Sequence, residues 1–135
     1  MTITTVRYGD FVDAPLQSKP WGHEIVFATG ENSYVGKLIT VRAGEALSLQ
    51  YHDDKDETIS VLTGEARLEH GPTVDELRIR MMRPGHTVHL SPRVLHRITA
   101  VTEVQLVEVS TAAPGWREDV VRLTDRYGRA GTSAP

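Results

Sequence analysis

GEALSLQYHDDKDETISVLTG, residues 44–64, is the stretch around which the chain can be read. Gln50 and His52 are two residues apart, so on a β-strand both side chains point to one face. The acidic run Asp53-Asp54-Lys55-Asp56 makes a turn, and Glu57 opens a second apolar run that continues to Leu62. Gly64 then frees the backbone to reverse, and a hairpin between 57–62 and 65–70 is expected about Thr63-Gly64. Two strands can thus present an amide oxygen, an imidazole and a carboxylate to one space. His96, in a later strand 94–100 after the turn at Ser91-Pro92-Arg93, is the fourth donor. Gln50, His52, Glu57 and His96 form a mixed N/O set suited to a divalent cation: zinc first, with manganese, iron, nickel and cobalt equally compatible in softness.

Outward from this stretch the chain reads as short strands between Gly/Pro turns: 24–28, 34–42, 47–52, 57–62, 65–70, 76–82, 86–90, 94–100 and 103–109. Most carry the alternation and β-branched residues of half-buried strands. No segment of ten or more residues before Pro114 has a helical apolar period. Strands spaced in this way predict an all-β sandwich or barrel. Residues 1–20 form an N-terminal arm that either frays or crosses to a partner subunit, 21–113 the barrel, and 114–135 an extension folding back on it. One helical turn is expected within 116–129 and a frayed end over 131–135.

The chain has 135 residues, enough for one domain with a real core. A formal net charge of −3 speaks against a nucleic-acid or anionic-membrane partner. Arg78, Arg80 and Arg83 read as a solvated face. No apolar run approaches the roughly 20 residues of a membrane span, and the N-terminus lacks the pattern of a signal peptide. With no cysteine, thiolate ligation is excluded and a cytoplasmic location is expected. His23, His70, His86 and His89 read as solvated positions, with His89 able to reach the cavity margin.

The pattern G-x5-Q-x-H-x4-E-x6-G over residues 44–64 resembles the first metal-binding motif of the cupin superfamily, and Pro92-x3-His96 resembles the second. Leu47-Ser48-Leu49-Gln50, Lys19-Pro20-Trp21-Gly22-His23-Glu24 and Glu118–Arg129 are similar to the type II phosphomannose isomerases and their single-domain relatives. The likeness spans residues 19 to 129. It implies a single-domain double-stranded β-helix (jelly roll) that forms a homodimer, with Gln50, His52, Glu57 and His96 on the metal. It also implies a phosphorylated sugar as small-molecule partner and an aldose–ketose isomerisation of the mannose 6-phosphate type. In that reading Lys55 and Glu57 are catalytic, and Lys37, Tyr34 and Arg97 bind substrate, Tyr34 and Lys37 from the family's Y-x-x-K strand. Strand alternation makes an outward salt bridge an equal expectation for Arg97.

The sequence departs from that pattern at Lys55-Asp56-Glu57-Thr58-Ile59, where the bifunctional isomerases read R-x-E-H-W, and at Arg93-Val94, where many members have glycine. Ammonium for guanidinium is not a neutral exchange at an anion site. The alternatives are therefore another metal-dependent cupin enzyme (an epimerase, lyase or oxygenase on a small carbonyl acid) or a non-catalytic small-molecule-binding cupin. Guanylyltransferase activity is not expected of these residues.

Overall fold

The computed structural model describes residues 11, 13–28 and 33–135, so most of the expected arm and the turn at 30–32 lie outside the described residues. Among the described residues eleven strands follow in order: β1 Leu16–Lys19, β2 Gly22–Ala28, β3 Tyr34–Val41, β4 Leu49–Tyr51, β5 Glu57–Thr63, β6 Ala66–Gly71, β7 Arg78–Met82, β8 Thr87–Leu90, β9 Leu95–Ala100, β10 Val104–Thr111 and β11 Val121–Thr124. They form two antiparallel sheets, ordered β1-β2-β3-β10-β5-β8 and β11-β4-β9-β6-β7. The only helix among the described residues is a 3-10 turn, Val74–Glu76. Among the same residues no helix is long and apolar enough to cross a membrane. The all-β sandwich expected from the strand spacing is the fold observed, in the jelly-roll form that the family likeness implies.

The inward face of the sandwich changes character along its strands. On β10, Val104 and Leu106 are fully buried in the core, and the next inward residues are Glu108 and Ser110. The same change runs from Val61 and Ile59 to Glu57 on β5, from Val41 and Ile39 to Lys37 on β3, and from Ala100 and Ile98 to His96 on β9. Register locks these changes together: Leu106 stands opposite Ile39 and Val61, and Glu108 opposite Lys37 and Ile59. One end of the sandwich is therefore an apolar core and the other a polar interior. Because side chains alternate with period two, a slip by one residue would turn the polar set out to solvent.

Several local expectations differ from what is observed. β5 and β6 do not pair; β5 lies between β10 and β8, whereas β6 lies between β9 and β7. Thr63-Gly64 is thus a corner between sheets, not a hairpin turn. Gly64 has φ 82°, and a Cβ there would lie 2.0 Å from the Glu103 carbonyl oxygen. The end of the supposed arm, β1, pairs with β2 within the same sheet. In the C-terminal extension the expected helical turn is replaced by strand β11, which pairs with β4 and widens the second sheet. The final residues are tied down by Gly131 N–H donating to the Arg122 carbonyl (3.0 Å) and Thr132 N–H donating to that of Arg129 (3.0 Å). β7 is an edge strand, so Ile79 and Met81 remain exposed despite their alternation, and Arg78 and Arg80 are solvated as expected.

The corner makes a sharp prediction. Gly64→Ala combines positive φ with a backbone clash and should cost about 3 kcal/mol or more. Gly44→Ala has the same sign of φ (81°) but open space around it, and should cost only about 1 kcal/mol. Denaturant melts of the two variants check the order; equal losses would remove the steric role of the corner.

Candidate metal centre

Glu57, at the start of β5, is almost fully enclosed, and its two neighbours are imidazoles. His96 Nε2 lies 3.0 Å from Glu57 Oε1, and His52 Nε2 lies 3.4 Å from the same oxygen. The three side chains are each buried, and one ligand atom from each falls within 4.8 Å of the others. The ring centroids are 5.3 Å apart and tilted by 47°. These close approaches are not aligned as hydrogen bonds: both Glu57 oxygens and His96 Nε2 are buried without a hydrogen-bond partner. Buried polar atoms are normally satisfied, so orphans that converge on one point fit a cation held between them.

Backbone carbonyls set both rings. His52 Nδ1 lies 2.6 Å from the Asp119 carbonyl oxygen and His96 Nδ1 lies 3.0 Å from that of Val94. Each Nδ1–H donates, which leaves the Nε2 lone pairs facing Glu57, the tautomer a metal requires. Burial pushes the Glu57 carboxyl up, yet the close approach and charge of His52 and His96 outweigh it and hold the carboxyl well below its usual range. For His96 burial lowers the imidazole, and Glu57 more than reverses this, raising it. The donor set of two imidazoles and a carboxylate, without sulfur, suits a borderline or hard divalent ion.

Gln50, the fourth expected ligand, stands directly opposite His96 in the β4–β9 pair and therefore on the same face. Its Oε1 accepts a hydrogen bond from the Ser48 hydroxyl at 2.8 Å, so ligation would share that oxygen. The turn before β9 is joined to the end of β4 by Arg93 N–H donating to the His52 carbonyl (2.7 Å). Arg93 has φ 69° there, a left-handed conformation in which glycine carries no penalty.

His52 and Gln50 reach a cavity of about 280 Å³, just under the range for ligand sites of ~300–1,000 Å³. Lys55 and Lys37, both expected at the site, line it. Tyr34 and Arg97 do not. Tyr34 is exposed on the outer face of β3, and Arg97 points outward from β9 to Glu69, with Nη2–Oε2 at 2.9 Å and Nε–Oε1 at 3.2 Å. Alternation decides this: with His96 inward, Arg97 must face out. His23, His70, His86 and His89 also stand apart from the His52–Glu57–His96 cluster. His89 instead meets Asp56 at the surface.

The cavity also holds residues to which the motifs assign no role. Glu24 lies 3.7 Å from Lys19 and 3.5 Å from Lys37, and Glu108 lies 4.0 Å from Lys37. Burial and then the Glu57 charge push the Glu108 carboxyl up, against the pull of Lys55 and Lys37. Arg122 and Arg129, from the C-terminal extension, are also buried in its wall. Asp119 does more than line it. Its carboxylate accepts the backbone N–H groups of Asp53 (2.7 Å), Asp54 (3.1 Å) and Lys55 (2.9 Å), fixing the loop between His52 and Glu57. The inward polar residues on β2, β3 and β10 were a signal available in the alternation; the long-range partnership of Asp119 was not.

The sequence profile of the family described as mannose-6-phosphate isomerase C-terminal matches residues 16–125. Among curated proteins, the chain is 31% identical over 113 residues to mannose-1-phosphate guanylyltransferase ManC of Salmonella typhimurium, covering 82% of this chain and 22% of that one. It is likewise 31% identical over 113 residues to the xanthan biosynthesis protein XanB of Xanthomonas campestris, covering 82% and 23%. The chain thus spans under a quarter of the length of these relatives. Among solved structures, oxalate decarboxylase from Bacillus subtilis superposes with a TM-score of 0.73 at 16% identity, over 84% of this chain and 31% of that one. KdgF from Halomonas superposes with a TM-score of 0.63 at 16% identity, over 73% and 88%. These likenesses establish the cupin fold.

His52→Ala is expected to empty the site of zinc, read by metal analysis after dialysis, while the far-UV spectrum of the barrel persists; full metal content would contradict the ligand assignment. Asp119→Ala should weaken zinc binding by about 10-fold to 100-fold through the freed loop. The proton linkage has a definite sign. Raised His96 stabilises the metal-free fold below about pH 6.5 and loses this as pH rises through its folded value. Lowered Glu57 stabilises it above about pH 4.5 and loses this as pH falls. Metal competes with the His96 proton, so the gain in melting temperature on adding zinc should grow as pH rises from about 5.5 toward 7.5. A gain independent of pH would exclude His96 as a ligand.

Proposed function

The chain belongs to the mannose-6-phosphate isomerase C-terminal family, and on that premise we propose that it is a metal-dependent aldose–ketose isomerase acting on a sugar phosphate of the mannose 6-phosphate type. The observation that carries this reading is the convergence of His52, Glu57 and His96 beside a small cavity rich in cationic side chains. His52, Glu57 and His96, with Gln50 completing the set, would hold a divalent cation. When bound, it supplies a Lewis acid for the oxygens on the first two carbons of the sugar.

The chain's own groups carry the rest. Isomerisation moves a proton from C2 to C1 and another from O2 to O1, so a proton carrier must stand within reach of both carbons. Lys55 is that carrier. It is buried, lines the cavity, and follows His52 in a loop pinned by Asp119. Glu57 would keep its negative charge beside both imidazoles, whose rings the Asp119 and Val94 carbonyls hold. Lys37, held between Glu24 and Glu108, also lines the cavity and faces the polar part of the substrate. The small volume excludes bulk water once a compact sugar phosphate is seated, which strengthens each charge contact. Zinc is placed first among the metals, and a homodimer is the expected assembly.

Incubating zinc-loaded protein with mannose 6-phosphate in deuterated water should place deuterium at C2 of recovered substrate and yield fructose 6-phosphate. Lys55→Met should lower that exchange by about 10²- to 10⁴-fold with metal content unchanged. Absence of exchange with mannose 6-phosphate and with other hexose and pentose phosphates would reject the isomerase reading. Turnover of another small carbonyl acid would assign a different reaction to the same metal site.

A further inference from the structure

We propose that Arg122, with Lys19 beside it, is an anion site that takes the phosphoryl group of the ligand; this rests on the reading of the cavity as a sugar-phosphate site. The cations of the cavity are unequally compensated. Lys37 is already held by two carboxylates, Glu24 and Glu108. Arg129 is paired with Asp125 by two side-chain hydrogen bonds, Nε–Oδ2 at 3.0 Å and Nη2–Oδ1 at 2.9 Å. Lys19 shares Glu24 with Lys37. Arg122, like the buried Lys55 near the metal centre and the exposed Arg117, has no carboxylate partner among the described residues, although its relative exposure is only 8%.

A guanidinium so enclosed needs acceptors. Arg122 Nη1 donates to the carbonyl oxygens of Thr132 (3.1 Å) and Ala134 (2.6 Å), which bind its hydrogens without neutralising its charge. Its Nε–H is buried with no acceptor at all among the described residues. That edge belongs to a side chain in the cavity wall, which Gln17, Lys19 and Trp21 also form. Burial lowers Lys19, and the charges of Lys37, Arg129 and Arg122 lower it further against the pull of Glu24, which places several cations within mutual influence at this end. An oxyanion in the cavity, met by a turn of the Arg122 guanidinium toward it, would satisfy the orphan donor, offset the surplus charge and accept from Lys19. A phosphoryl group matches the planar guanidinium fork in both geometry and charge.

The geometry also gives residues 132–135 a part. Ser133 and Pro135 line the cavity, and this segment is hung on Arg122 through its carbonyls. An anion drawing the guanidinium toward the cavity competes with these two bonds, so the segment should loosen when the site fills.

The test uses inorganic phosphate and the metal-free full chain, so that it does not depend on any reaction. Calorimetric titration should show binding to the unaltered protein. Arg122→Met should weaken it by about tenfold or more, the scale of one charge-assisted hydrogen bond. Arg97→Met, on the outer face, should leave it unchanged. Should Arg122→Met fail to give the native far-UV spectrum, Lys19→Met decides, with a loss of severalfold expected. No phosphate binding by the unaltered chain, or equal affinity in the Arg122 and Lys19 variants and the unaltered protein, would overturn the proposal. Loss of isomerase exchange with phosphate binding intact would refute the proposed reaction and leave this site standing.

Discussion

A carboxylate enclosed among strands must be compensated, and in this protein the need falls on Glu57. It is 2% exposed, and the imidazoles of His52 and His96 stand 3.4 Å and 3.0 Å from one of its oxygens. An uncompensated charge of this kind would cost several kcal/mol. Around that point the architecture is consistent. β5 delivers the carboxylate, the end of β4 and the body of β9 deliver the imidazoles, and backbone carbonyls fix both rings. The apolar layers at the other end of the sandwich, from Leu106, Ile98 and Val61, supply the rigidity that keeps three separate strands in register.

The C-terminal extension is part of the site and not an appendage. Its Asp119 gathers three backbone N–H groups of the loop between His52 and Glu57, and the carbonyl of the same residue receives the His52 ring. Strand β11 then places Arg122 in the cavity wall from the second sheet. The His52–Glu57–His96 cluster, the loop and the cavity wall are thereby coupled through one short segment. β1 contributes in the same way from the other sheet, by carrying Gln17 and Lys19.

The central strands and the His52–Glu57–His96 cluster are legible in the sequence because each depends on short-range pattern, whereas β1 and β11 are not. Alternation marks β3, β5, β9 and β10, and Gln50-x-His52 with Glu57 sits on two adjoining elements. Longer-range features escape such a pattern. Gly64 signals a reversal, but whether the chain returns to its own sheet or crosses to the other depends on closure of the whole sandwich. A motif likeness draws Tyr34 and Arg97 toward the substrate, whereas period-two geometry turns both outward. Arg122 and Asp119 are visible only as members of a C-terminal likeness, since their partners lie 10 to 12 and 64 to 67 residues away. The inward acids and lysine at positions 24, 37 and 108 break the apolar rule for buried strand positions, and such breaks mark the functional end of the fold.

What matters most is whether His52, Glu57 and His96 hold one divalent ion between them. X-ray absorption at the zinc edge on the zinc-loaded protein examines this directly. A centre built from these three side chains requires only nitrogen and oxygen neighbours at ~2.0–2.2 Å, with the outer scattering of two imidazole rings. A spectrum of oxygen neighbours alone, without imidazole scattering, would mean that the ion lies elsewhere and that Glu57 is balanced by histidine protons instead.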